Sequence, residues 1–122
     1  MRKNWAGWKP TPLTMKLPTE VFGEVIVVHT PEELGGDTSL QFEKFVTSLE
    51  RSNVVLDLDG TESVESAGLE AILNAHEALR ELQGDLKIST NNPSNRKILE
   101  ITRLDQQLEV YESVLEAVKS FV

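Results

Sequence analysis

A chain of 122 residues, 39% apolar and 26% charged, has room for one domain with one ordinary hydrophobic core. It contains no cysteine, which excludes disulfide bridges and thiolate metal sites and fits a reducing cytoplasm. Its apolar runs are far shorter than the roughly 20 residues of a membrane span. We expect no signal peptide, because Trp5–Pro10 interrupts any apolar core near the start.

Charge is divided unevenly along the chain. Residues 1–19 carry four bases and no acid, whereas the remaining residues carry all 20 acids and eight of the 12 bases. An acidic body disfavours nucleic acid as a partner, because binding to phosphates needs cations. It favours a protein partner with a basic surface.

The amino-terminal residues differ from the rest in pattern as well as in charge. Met1–Pro12 contains two prolines and lacks apolar periodicity, so we interpret residues 1–12 as a flexible tail and residues 13–122 as the folded domain. An alternative for Trp5 and Trp8, together with Arg2, Lys3 and Lys9, is contact with a membrane surface or a partner, but a disordered tail is the simpler interpretation.

Several short segments have the pattern of β-strands. Continuous apolar runs are typical of strands that are covered on both faces of a sheet. A strict alternation of apolar and polar residues predicts an edge strand at Leu13–Leu17. The other predicted strands are Glu24–His29, Asn53–Leu58, Leu86–Thr90 and Leu108–Tyr111.

Four segments with helical spacing separate or follow these strands, and each has a recognisable boundary residue. Thr38 with Gln41 resembles a capping box after a turn at Leu34–Asp37, and Ser113 with Glu116 resembles another. The second helix is predicted to start near Ser66 and to end at Gly84. Asn92-Pro93 marks the start of the third helix. Strands alternating with helices predict an α/β domain with a mixed sheet of four or five strands and about four helices.

The segment from Asn53 to Leu73 brings a strand, a polar loop and a helix into sequence. Its loop enters the helix through Glu65-Ser66-Ala67-Gly68-Leu69, which places a hydroxyl group where the helix begins. Free backbone N–H groups and the helix dipole favour a negative charge there. The sequence therefore predicts a place to present or receive a phosphate group.

The end of the second buried strand has a possible catalytic motif of its own. Asp57-Leu58-Asp59-Gly60-Thr61 resembles the nucleophile motif of haloacid-dehalogenase-type phosphatases. That resemblance implies Asp57 as the nucleophile and Asp59 as the general acid. It is incomplete, since Glu62 replaces an apolar residue and no late acidic pair follows for magnesium. We keep the phosphatase as a minor alternative and interpret both aspartates as strand-end and turn residues.

A second resemblance covers most of the chain. From about Glu24 onward the sequence is similar to the STAS domain of bacterial anti-sigma factor antagonists. The match is serial, and it agrees with the order of strands and helices predicted above. The matching segments are Val54–Asp57, Glu65–Leu69, Leu86–Thr90, Asn92-Pro93, Leu99, Leu104-Asp105 and Val110-Tyr111.

The resemblance implies a non-enzymatic cytoplasmic regulator without cofactor or metal, with an α/β STAS fold. Ser66 would be the phosphoacceptor for a partner that is both an anti-sigma factor and a serine kinase. A phosphate adds about −1.5 to −2 charges at pH 7, and Glu62, Glu65 and Glu70 nearby would add to the repulsion of the partner. The expected partner-binding residues are Glu65, Ser66, Ala67, Gly68, Leu69 and Glu70.

Two departures from the family pattern keep an alternative open. Glu65 stands where the family has aspartate, and Thr30–Gly35 replaces the usual Gly-x-Leu-Asp loop. The alternative is a STAS interaction subunit of another complex, such as a lipid-transport or stress-signalling assembly, in which Ser66 only caps its helix. His29 and His76 are isolated in the sequence, and we expect both to pack rather than to bind metal.

Overall fold

The computed structural model describes residues 15–121, which contain seven strands and four α-helices. The strands are β1 (Thr19–Phe22), β2 (Val25–His29), β3 (Glu33–Leu34), β4 (Asn53–Asp57), β5 (Ser63–Val64), β6 (Asp85–Ser89) and β7 (Val110–Tyr111). The helices are α1 (Ser39–Thr47), α2 (Ser66–Glu81), α3 (Pro93–Ile101) and α4 (Val114–Lys119), with 3₁₀ turns at Gly36–Thr38 and Leu104–Gln106. The predicted α/β class is confirmed.

Five strands form a mixed sheet in the order β1-β2-β4-β6-β7. β1 runs antiparallel to β2, and the other neighbours are parallel. A helix connects each parallel pair, as parallel pairing requires. β3 and β5 form a separate two-stranded parallel sheet that the sequence did not predict.

The alternating side chains of the central strands build two apolar layers. Ile26, Val54 and Leu86 belong to the larger layer, which α1, α2 and α3 cover. Val27 and Val55 belong to the smaller layer, which α4 covers through its buried alanine. Coverage of both faces explains why these strands read as continuous apolar runs.

Lys87 is a charged exception within the smaller layer, with 6% of its surface exposed. Its Nζ donates to the hydroxyl of Ser120 at 2.8 Å and to the carbonyl of Ser120 at 3.2 Å, and it lies 4.3 Å from the centre of the Phe121 ring. A carboxylate oxygen of Glu109 lies 3.5 Å away. These partners offset the cost of burying the ammonium and tie the end of α4 to the sheet.

The edge strand lies later in the chain than we predicted. Alternation placed it at Leu13–Leu17, but residues 15–17 are outside any strand and β1 begins at Thr19. A tight turn at Gly23, whose φ is +61°, joins β1 to β2 and sets their pairing. The alternating side chains at 15 and 17 pack against the core instead. The tail predicted at residues 1–12 lies outside the described residues.

Two helix boundaries also differ from the predictions. Thr38 precedes α1, but its backbone is helical and its hydroxyl donates to the carbonyl of Gly35 at 2.9 Å, so the predicted capping box is absent. At the end of α2 the left-handed residue is Gln83, with φ +67°, rather than Gly84. Gly84 is required for a different reason, because a Cβ there would overlap the carbonyl oxygen of Ser52.

The starts of α3 and α4 agree with the sequence predictions, as does the start of α2 at Ser66. Asn92 caps α3 with Pro93 at its first position, and Ser113 caps α4 by accepting from the N–H of Glu116 at 3.1 Å. Among residues 15–121, no helix has the length and apolar character needed to cross a membrane.

Candidate partner-binding site at the start of the second helix

Ser66 is the first residue of α2 and is exposed. The helix cap is Glu65, which has extended backbone angles (φ −96°, ψ 169°) and makes no side-chain capping hydrogen bond. The alternative interpretation assumed that Ser66 caps α2, but the capping residue is Glu65. Among the described residues, the N–H groups of the first turn have no side-chain acceptor, so these donors remain available to an anion or a partner.

The loop that leads into α2 is held by the backbone of the segment after β2. Leu34 pairs with Val64 across the small parallel sheet. The Leu34 carbonyl accepts from the N–H of Glu65 at 2.9 Å, and the Glu32 carbonyl accepts from the N–H of Glu62 at 2.7 Å. Two segments about 30 residues apart in sequence therefore form one surface around Ser66.

A buried polar network supports this loop from below. The side-chain amide of Asn95 donates to the carbonyls of Leu58 at 2.9 Å and Thr61 at 3.1 Å. The hydroxyl of Thr61 donates to the Pro31 carbonyl at 2.6 Å and also contacts the hydroxyl of Thr30. These hydrogen bonds hold the loop in one conformation, although the buried Oδ1 of Asn95 has no partner among the described residues.

Gly68 packs against the backbone of Leu34 within the chain. It is buried, and a Cβ at this position would overlap the carbonyl oxygen of Leu34 and lie 2.9 Å from its carbonyl carbon. We expected Gly68 among the partner-binding residues. The close contact is instead made within the chain, by the residue at the end of β3.

Gly35 and Gly36, which were not among the predicted site residues, lie against Glu65. A Cβ at Gly35 would lie 2.6 Å from the Cβ of Glu65 and 2.7 Å from its Oε1. A Cβ at Gly36 would lie 3.4 Å from the same oxygen. The Glu65 side chain therefore lies across a turn that has no side chains. The only signal in the sequence was the departure of this loop from the family pattern.

The predicted partner-binding residues divide into an outer and an inner set. Glu65, Ser66 and Glu70 are exposed, whereas Ala67 and Leu69 are half-buried and only Gly68 is fully buried. The outer surface is acidic, and within residues 15–121 its carboxylates form no ion pair. Its exposed acids are Glu32, Glu33, Asp37, Glu62, Glu65 and Glu70.

The two aspartates of the phosphatase-like motif are engaged in structural contacts. Asp57 accepts from the N–H of Asp59 at 3.0 Å, and Asp59 accepts from the N–H of Asn91 at 2.7 Å. The second oxygen of Asp57 lies 2.8 Å from Nδ1 of His29, whose Nε2 lies 2.8 Å from Glu20. This geometry matches the strand-end and turn roles that aspartate commonly has.

The two histidines pair with carboxylates rather than lying in apolar surroundings. Burial lowers the pKa of His29, but its hydrogen bonds to Glu20 and Asp57 and the attraction of their negative charges together raise the pKa by more, so it lies above the usual value. Nε2 of His76 lies 3.1 Å from an oxygen of Asp85. In the described part of the chain, no group of three or more His, Asp or Glu side chains is arranged to hold a metal ion.

Comparison with known proteins identifies the family. The sequence model of the STAS domain matches residues 16–117. The chain belongs to the STAS domain family. The family match spans both segments that form the Ser66 surface.

Relatives of this STAS domain are distant in sequence but similar in fold. A Thermotoga neapolitana protein, provisionally named an anti-sigma factor antagonist, is 24% identical over 106 residues, which cover 84% of this chain and 94% of the relative. A crystal structure of a provisionally named anti-sigma factor antagonist from Thermotoga maritima has a TM-score of 0.78 and 21% identity, with 90% of this chain and 97% of that chain covered. The phosphorylated form of the Bacillus cell fate determinant SpoIIAA has a TM-score of 0.66 and 16% identity, with 88% and 100% covered.

Proposed function

We propose that this STAS domain is an anti-sigma factor antagonist that binds an anti-sigma factor with serine kinase activity and is released when Ser66 is phosphorylated. The names of its relatives support the antagonist role. The observation that carries the switch is an exposed serine at the first position of α2, on a helix start without a side-chain cap. In this proposal the domain acts in the cytoplasm by binding alone, without catalysis or cofactor.

The physical basis of the proposed switch is the charge around Ser66. A basic partner face is attracted by the unpaired carboxylates of the outer surface. Phosphorylation of Ser66 adds about −1.5 to −2 charges at pH 7 at the edge of the packed interface. Unless the partner has cations placed for a phosphate, burying these charges is costly, so the complex dissociates.

Substitution of Ser66 tests the proposal. Ser66→Ala and Ser66→Asp should both fold, because Ser66 makes no capping bond that either change would remove. Ser66→Ala should bind the anti-sigma factor even in the presence of ATP. Ser66→Asp should bind it roughly tenfold or more weakly, which corresponds to about 1.4 kcal/mol. Calorimetry with the partner recovered by affinity capture measures the binding, and thermal melts measure stability.

Ser63→Ala is the matched control, since Ser63 is also exposed and lies in β5, three residues before Ser66. It should bind like the wild type and should still accept phosphate at Ser66. Tight binding by Ser66→Asp, together with no phosphate at Ser66 after incubation with kinase and ATP, would contradict the proposed switch.

A second candidate is a STAS interaction subunit that is not phosphorylated. Glu65 favours it, because this residue replaces the aspartate that precedes the phosphoacceptor in the family and its side chain lies on Gly35. A kinase that recognises the shorter aspartate would meet a carboxylate directed elsewhere. In this case affinity capture should recover a complex without a serine kinase.

The phosphatase remains a minor candidate that the contacts of Asp57 and Asp59 disfavour. We expect no magnesium-dependent release of phosphate from a panel of phosphomonoesters. Turnover that disappears in Asp57→Asn would contradict the non-enzymatic proposal.

A further inference from the structure

The segment that ends at the Gly35–Gly36 turn contacts the start of α2 in addition to the pairing of β3 with β5. The Leu34 carbonyl accepts the N–H of Glu65 at 2.9 Å and also lies against the Cα of Gly68. One peptide group at the end of β3 therefore contacts both the cap and the first turn of the helix. A displacement of the helix start is transmitted directly to the residues that follow Leu34.

Glu65 makes the second connection. The backbone of Gly35 has φ +154° and that of Gly36 has φ +57°, and neither residue has a Cβ that would exclude the Glu65 side chain. At Gly35 the overlap would involve the Cβ of Glu65 itself, at 2.6 Å, so rotating the side chain would not relieve it. The turn and the glutamate are therefore complementary in shape.

The carboxylate of Glu65 is held by this packing alone. Among the described residues it has no hydrogen-bond donor and no cation as a partner. It precedes the exposed Ser66 by one residue. A new negative charge on Ser66 would act on a carboxylate that nothing charged or polar holds in place.

We propose that Glu65 couples Ser66 to the Gly35–Gly36 turn. Negative charge on Ser66 displaces the Glu65 carboxylate from the turn, and the exposed residues beside it, Asp37 and Leu40, change position. Leu40 has 59% of its surface exposed and is the large apolar side chain of this region that a partner would bury. Phosphorylation would then alter the shape of the partner surface as well as its charge. This coupling rests on the proposed function only in taking Ser66 as the modified residue.

Backbone amide chemical shifts of uniformly ¹⁵N-labelled protein test the coupling without a partner or a kinase. The changes compared are Ser66→Asp, its neutral and nearly isosteric control Ser66→Asn, Glu65→Gln, and the double variant Ser66→Asp with Glu65→Gln. The amides of Gly35 and Gly36 report on the turn. The amide of Gly84, packed on Ser52 at the far end of α2, serves as an internal reference.

Ser66→Asp should shift the amides of Gly35 and Gly36, and Ser66→Asn should shift them far less. In the Glu65→Gln background the effect of Ser66→Asp should fall by roughly half or more, because the charge that it repels is gone. Phosphoserine at position 66 should give a larger shift that grows as pH rises through the second phosphate pKa, near 6.

Equal shifts from Ser66→Asp and Ser66→Asn would overturn the coupling, as would shifts that persist unchanged with Glu65→Gln or that stay within residues 65–70. Each of these results leaves the proposed function intact, because partner release could still follow from the charge of the phosphate itself. Conversely, an anti-sigma factor that fails to bind would not alter the shifts of the free protein.

Discussion

Helices α2 and α3 both connect parallel strands of the same five-stranded sheet, but their amino-terminal ends are built differently. The side chain of Asn92 accepts from the N–H groups of Ser94 at 2.9 Å and Asn95 at 3.4 Å, so the start of α3 is satisfied within the chain. At α2 the cap is Glu65, which makes no such bond, and an exposed serine follows. Local capping stabilises α3, whereas α2 depends on contacts with the end of β3.

The difference indicates which helix start is available for function. A capped terminus has already used its donors and contributes about 1 kcal/mol of stability. An uncapped terminus keeps N–H groups that can interact with an anion or a partner. The tertiary contacts of Leu34, Glu65 and Gly68 stabilise α2 from the side and leave its end accessible.

The largest effect is expected from Gly68→Ala, which tests whether α2 depends on the end of β3. The added Cβ would overlap the Leu34 carbonyl, and the obstacle is backbone, so the helix start must shift. Overpacking of this kind typically costs about 1–3 kcal/mol, and we expect the upper part of that range in thermal or denaturant unfolding.

Gly60→Ala is the matched control for this change. Gly60 is exposed in the preceding loop, and nothing lies within 4 Å of a Cβ placed there. Its melting temperature should be equal to or slightly above that of the wild type. Similar losses in both variants would mean that the loop, rather than the contact with Leu34, determines the stability of α2.

A smaller loss of stability is expected when either helix cap is replaced by alanine, and the two losses can be compared directly. Asn92→Ala should lower the free energy of unfolding by about 1 kcal/mol, because two N–H groups lose their acceptor. Glu65→Ala should lower it by less, since Glu65 makes no capping bond. Urea unfolding of both variants at one pH gives the comparison. A greater loss with Glu65→Ala would show that its packing on Gly35 outweighs the cap of α3.

The smallest effect concerns Glu20 in β1 and Asp57 at the end of β4, which, unlike the carboxylates around Ser66, share a histidine partner, His29. His29 can donate to Glu20 and Asp57 together only when both ring nitrogens are protonated. Because its folded pKa is raised, the stabilisation is fully present below the unfolded value of about 6.5 and is lost as pH rises through the folded pKa.

The stability difference between wild type and His29→Gln should therefore be larger at about pH 6 than at about pH 8.5. We expect it to remain below about 1 kcal/mol, because the ring is partly exposed. Urea unfolding at both pH values measures the difference. Glu20→Gln should reduce the pH dependence, and a difference that grows toward high pH would contradict the assignment.

The strongest local patterns predicted the fold correctly. Three apolar runs became β2, β4 and β6, and the Asn92-Pro93 and Ser113 signals mark the starts of α3 and α4. The weaker alternation at Leu13–Leu17 was misleading, because half-buried side chains in an irregular segment can alternate without strand pairing. The pairing of β3 with β5 could not be predicted, since two-residue strands have no period.

The sequence alone determined the α/β order and the place of Ser66 at the start of α2, because both depend on neighbouring residues. Only the tertiary structure decided the roles of the residues around it. Gly68 faces Leu34 rather than a partner, and Glu65 lies on Gly35 from a distant loop. These roles depend on contacts between segments about 30 residues apart, and the types of such residues do not specify which distant backbone they will meet.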